Sequence, residues 1–145
     1  MQLFAILSAA TAMLGTALAI PAGKPTGGPA SASVTIYSGP YTCTDPDAAP
    51  PAGSAGTAKT VTVTENACAI VNIPFGGAIT STLTASPKTG TAGCYIQIYT
   101  QSGCGVTLQN QYHGFPFNGL IAGSSQVGCA NPPVQAYGAV SIVCA

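Results

Sequence analysis

Charge is almost missing from this chain. Of its 145 residues three are basic, three are acidic and one is histidine, whereas about a quarter of a typical soluble protein is charged. The charged side chains are Lys24, Lys59, Lys88, Asp45, Asp47 and Glu65, and there is neither arginine nor tryptophan. Neutralising a phosphate backbone takes several cations on one face, so three scattered lysines exclude a nucleic-acid partner. Anionic membranes and acidic polymers are disfavoured for the same reason. Solvent-facing positions must instead be filled by Thr, Ser, Asn, Gln and Gly, whose hydroxyl and amide groups hold water without a charge.

Other absences narrow the reading further. No C-x-x-C pair occurs, and the nearest cysteines, Cys94 and Cys104, stand far apart with one histidine in the whole chain, which argues against a structural metal site. No cofactor is implied. No Asn-x-Ser/Thr acceptor is present; Asn66-Ala67-Cys68 is the rarer form, and its cysteine is expected in a bridge. After the first nineteen residues no run is long and apolar enough to span a bilayer.

Those first nineteen residues form an uncharged apolar stretch that closes on Ala17-Leu18-Ala19, a small-x-small site. This reads as a secretory signal peptide over 1–19, and the remaining 126 residues as one extracellular domain. Residues 20–33, rich in Pro, Gly, Ala and Ser, are expected to form a flexible arm, with a single β domain over 34–145. All six cysteines follow the cleavage point, and an even number in an oxidising compartment implies disulfides.

The apolar residues of the mature region alternate. Val61 and Val63 oppose Thr60, Thr62 and Thr64; Ile96 and Ile98 oppose Tyr95, Gln97 and Tyr99; Val140 and Ile142 oppose Ala139 and Ser141. Period-two runs rich in β-branched residues and bounded by Gly and Pro are strands. Strands are expected near 34–37, 59–64, 68–73, 79–84, 94–100, 105–109, 119–122 and 137–143. The fold class is therefore all-β, a compact antiparallel β-sandwich or Greek-key barrel.

Cysteine spacing suggests that this scaffold is duplicated. Cys43 and Cys68 are separated by twenty-four residues, as are Cys104 and Cys129, and the similar tetrapeptides Val34-Thr35-Ile36-Tyr37 and Ile96-Gln97-Ile98-Tyr99 precede the two pairs. Spacing alone leaves the connectivity open. Two related motifs, each closed by its own bridge, favour Cys43 with Cys68 and Cys104 with Cys129, which leaves Cys94 with Cys144.

Catalytic groups are scarce. Asp45-Pro46-Asp47 and Glu65-Asn66 read as turns. Ala52-Gly53-Ser54-Ala55-Gly56 lacks the first glycine of a nucleophile elbow and has no strand before it. Aromatics, amides and the single histidine instead concentrate between Gln109 and Gly119. Tyr112, His113, Phe115 and Phe117 are the candidate binding residues, since aromatic faces flanked by amides take sugar rings or apolar patches. Packing at the end of the sandwich is the competing role for the same rings.

The leader from Met1 to Ala19, the Pro/Gly arm, the even cysteine count and the terminal Ser141-Ile142-Val143-Cys144-Ala145 strand resemble the small secreted cysteine-rich proteins of filamentous fungi. Many of those are candidate effectors or surface antigens. Tyr99 and Gly105 also sit like the aromatic and turn glycine of a βγ-crystallin Greek key, but the calcium pattern of that family is absent. The resemblance implies a secreted, non-enzymatic β module, expected to be monomeric, that binds an extracellular protein or glycan. A structural or surface-active cell-wall coat protein is the alternative, and a small secreted hydrolase relying on His113 and Glu65 a further one.

With so few charges, stability should hardly respond to ionic strength. Denaturation midpoints of the mature protein should agree between about 0.1 M and about 1 M sodium chloride, apart from the weak general salt effect on apolar burial.

Overall fold

A computed structural model describes residues 27–145. The expected signal peptide and the first part of the arm, 20–26, lie outside the described residues. Among the described residues there is no helix, and eight strands follow one another: β1 (Ser31–Tyr37), β2 (Ala58–Thr64), β3 (Ala69–Ile73), β4 (Ala78–Ala85), β5 (Cys94–Tyr99), β6 (Tyr112–Pro116), β7 (Gln126–Ala130) and β8 (Tyr137–Cys144). They form two four-stranded sheets, ordered β2-β1-β4-β7 and β3-β8-β5-β6, with every pairing antiparallel. The result is a β-sandwich held by three disulfides.

Alternation in the sequence becomes the two faces of each sheet. Along β1 the residues Ala32, Val34 and Ile36 are buried while Ser31, Ser33, Thr35 and Tyr37 are half-buried on the other side. Val34 and Ile36 pack in one cluster with Ile79 and Leu83 of β4, Ile96 and Ile98 of β5, and Val140 and Ile142 of β8. Fully burying a side chain of this size is worth about 1.5–3 kcal/mol, so this layer dominates stability.

The outer face of the first sheet carries hydroxyls where another protein would carry charges. Thr60, Thr35 and Thr80 stand side by side across β2, β1 and β4, and Thr62, Ser33 and Thr82 form the next row. Thr35 Oγ1 and Thr60 Oγ1 lie 2.9 Å apart, a hydrogen-bonded cross-strand pair.

Several strands begin or end a residue or more from their expected limits. β1 starts at Ser31 rather than near Val34, because Ser31, Ala32 and Ser33 pair with Thr64, Val63 and Thr62. Ala30, fully buried, donates its N–H to the Glu65 carboxylate just before that strand. The end of the Pro/Gly arm is thus part of the sheet.

Two expected strands are loops, and two loops are strands. Residues 105–109 alternate like a strand, yet Val106 and Leu108 are exposed and the segment bends around Asn110. Residues 119–122 turn instead, with Ser125 Oγ accepting the N–H of Ile121 at 2.8 Å. The strands missed are β6 and β7, each interrupted by a glycine. Gly128 in β7 is required by its neighbours: a Cβ there would meet the backbone of Pro46 and Asp47 at 2.5 Å. That same loop supplies the Pro46 carbonyl that accepts the Cys129 N–H at 2.9 Å.

The cysteine pairing overturns the duplicated unit. The bridges are Cys43–Cys129, Cys68–Cys104 and Cys94–Cys144; the third matches the expectation, and Cys43 with Cys68 and Cys104 with Cys129 do not. The reason is topological. The segment after β1 is drawn along β7, at the edge of the first sheet, while Cys68 leads into β3 in the second sheet. Asn131 reinforces the first arrangement, accepting the Cys43 N–H through Oδ1 at 2.7 Å and donating to the Tyr41 carbonyl at 2.7 Å. Cys94 and Cys144 are directly opposed across β5 and β8, with Cα atoms 4.1 Å apart.

The bridges span 86, 36 and 50 residues respectively. In the chain-entropy model the first is worth at most about 4.6 kcal/mol and the second about 3.8. A pepsin map of the unreduced protein should return these three pairs. The Cys43→Ala/Cys129→Ala double variant should lose more stability in urea than Cys68→Ala/Cys104→Ala.

Candidate binding site

The candidate residues lie on β6, at the free edge of the second sheet, and alternation divides them. Tyr112, Gly114 and Pro116 stand opposite Tyr99, Gln97 and Tyr95 on the outer face, whereas His113 and Phe115 stand opposite Ile98 and Ile96 on the core side. Phe117, one residue past the strand, is 9 % exposed and belongs to the core cluster. Phe115 is half-buried against that cluster, and Tyr112 is 51 % exposed. Of the four, Phe117 therefore serves mainly as packing, and Tyr112 and His113 are the most accessible.

Ring contacts link the residues along the strand. The His113 and Phe115 rings are 4.8 Å apart at 58°, and Tyr112 leans on Tyr99 with centroids 6.1 Å apart. Tyr99 is 4 % exposed although it points away from the core, because residues 100–111 close over this part of the outer face. Its hydroxyl donates to Gln97 Oε1 at 2.9 Å and lies 3.1 Å from Ser141 Oγ, which is left to act as donor. A buried phenol satisfied at both ends has a fixed ring position.

The covering loop is fastened to the sheets at two places and braced internally by Asn110. Cys104 is bridged to Cys68 beside the β2–β3 turn. Gly138 of β8 permits close approach, since a Cβ there would meet the Gln101 backbone at 2.9 Å. Asn110, 7 % exposed, donates through Nδ2 to the carbonyls of Gly103 at 2.7 Å and Gly105 at 2.8 Å, and its Oδ1 accepts the Gln101 N–H at 2.9 Å.

Depressions flank β6 on either side. One, about 200 Å³, is lined by Thr100, Gln111, Tyr112, His113, Pro133, Gln135 and Tyr137. The other, about 340 Å³, runs between β6 and β7 past Phe115, Phe117, Pro46 and Asp47. Gln111 fell within the amide-rich segment noticed in the sequence. Gln135 had no local signal, for the loop between β7 and β8 reaches the cleft through sheet order alone.

Glu65 lies elsewhere. It borders two adjoining grooves of about 310 and 380 Å³, with Asn66, Tyr99, Ser141, Lys88 and Thr91. Asn66 adopts φ 64°, as the turn between sheets requires. None of these depressions contains both Glu65 and His113. Among the described residues no three His, Cys, Asp or Glu side chains converge as metal ligands, and no helix is long and apolar enough to cross a membrane.

No family model, no curated protein and no solved structure matches the chain.

Truncating Asn110 would strip partners from the Gln101 N–H and from two glycine carbonyls in one step. These hydrogen bonds are part-buried, and each is worth about 0.5–1.5 kcal/mol net. Asn110→Ala should therefore lower stability in urea by that order and accelerate amide exchange across residues 101–111, while strands β1 and β4 keep their protection.

Proposed function

We propose that this chain is a secreted, non-enzymatic binding module that engages an extracellular or cell-surface component along β6. The observation that carries the reading is the exposed Tyr112 ring held by the buried Tyr99, with His113 and Phe115 following it along an open edge strand. A rigid aromatic on a fixed support gives contact area with little ordering cost, which is what a binding surface needs. Three disulfides suit an oxidising, extracellular setting and hold the loops on both sides of the strand. The separation of Glu65 from His113 into different depressions weighs against paired acid/base chemistry. An effector-like role at the surface of a host or competing cell fits the layout of the leader, arm and cysteines.

The test is retention of the mature protein on cell-wall and cell-surface fractions. Saturable binding is expected, weakened about ten-fold or more by Tyr112→Ala or Phe115→Ala and unchanged by Thr62→Ala on the opposite sheet. Wild-type retention by both aromatic variants, with their fold confirmed by near-ultraviolet circular dichroism, would refute a site on β6.

A further inference from the structure

We infer that the ligand class of the Tyr112–His113 cleft is a neutral sugar, a refinement that rests on the β6 reading above. Size is the first reason. At about 200 Å³ the cleft is smaller than the 300–1,000 Å³ typical of drug-sized ligands, and suits one ring of a chain that continues into solvent. No Lys, Asp or Glu lines it. An anionic ligand would need Arg or Lys to replace lost hydration, and a cationic one would need a carboxylate.

Apart from the His113 imidazole, the lining is made of hydroxyl, amide and aromatic groups with one proline. Gln111 and Gln135 contribute exposed amides, while the Thr100 hydroxyl is spent inside the loop, donating to the Gln109 carbonyl at 3.2 Å and accepting the Gln111 N–H at 3.1 Å. Each amide supplies both donors and an acceptor, matching hydroxyls that act as both. The exposed Tyr112 ring provides an apolar face for the C–H side of a pyranose, and its support by Tyr99 removes much of the ordering cost.

The backbone of β6 adds directed groups. Thr100 N donates to the Gln111 carbonyl, and Phe117 N donates to the Cys94 carbonyl, one beyond each end of the β5–β6 pairing. The alternation of an antiparallel ladder then turns the peptide groups of His113 and Phe115 toward β5 and those of Tyr112 and Gly114 outward. Gly114 bears no side chain to screen its N–H. Pro116, next in the outward row, has no N–H to offer, so the edge is a poor template for an added peptide strand. Isolated outward donors beside an aromatic face suit separate sugar hydroxyls better than a continuous strand.

The experiment is calorimetric titration of the mature protein with chitohexaose, laminarihexaose and mannotetraose, with oligogalacturonate as the charged control and backbone amide shifts recorded in parallel. At least one neutral oligosaccharide should bind, with shifts gathered at Thr100, Tyr112 and Gln135 and an affinity unchanged by salt. Tyr112→Ala and Gln135→Ala should each weaken binding about ten-fold, while Tyr112→Phe, which keeps the ring, should retain most of it. Binding confined to the charged oligomer would overturn the inference, as would sugar binding that Tyr112→Ala and Gln135→Ala leave intact. Retention of proteins through Tyr112 or Phe115 with no sugar bound would overturn the neutral-sugar assignment and leave the β6 reading standing. Binding of neither sugars nor surface fractions would overturn both.

Discussion

Tyr99 is buried on the wrong side of its sheet, and the organisation around the candidate site depends on the loop that buries it. In a sandwich the outer face of a strand ordinarily meets water. Here residues 100–111 fold back over β5 and β8, so Ala139, Ser141 and Tyr99 are enclosed as well as Ile96, Ile98, Val140 and Ile142. The Tyr99 hydroxyl needs partners in that enclosed space and finds them in Gln97 and Ser141. A ring fixed in this way supports Tyr112 on β6. Removing the loop would expose an apolar face and release the aromatic platform together.

Loops of this kind carry their own polar backbone groups, and each must be satisfied once the loop lies against the sheet. The protein solves the problem twice in a similar manner. Asn110 serves the 101–110 loop beside the Cys68–Cys104 bridge, and Asn131 serves the 41–43 segment beside Cys43–Cys129. A glycine at each contact, Gly138 and Gly128, lets backbone pass over backbone. The recurrence between the two halves of the chain is thus one of loop fastening. The equal cysteine spacings do not mark two separately closed units.

The shortage of charge has a counterpart in the structure. Rows of Thr and Ser cover the first sheet, and amides and phenols surround the β6 cleft. Hydroxyl and amide groups bind water at any pH, and they also pair readily with other neutral hydroxyls. Surface hydration and proposed recognition therefore draw on the same chemistry, while Glu65 and Lys88 stay at a groove apart from it.

Much of this was legible in local sequence. Alternation identified β2, β5 and β8 and put Ile96 with Ile98, and Val140 with Ile142, on the same side of their strands, because a strand repeats every two residues whatever its partner. The aromatic and amide run marked the neighbourhood of the site for a similar reason: its residues are adjacent in the chain. Strands β6 and β7 were hidden, since Gly114, Pro116 and Gly128 oppose strand propensity and are admitted only by an edge position or a loop crossing close above. Tertiary structure alone decided that Tyr112 faces outward while Phe117 joins the core, that Gln135 completes the cleft, and that Cys43 meets Cys129 instead of Cys68. Those outcomes depend on sheet order, set by burying all inward faces at once, and no stretch of sequence a few residues long contains that constraint.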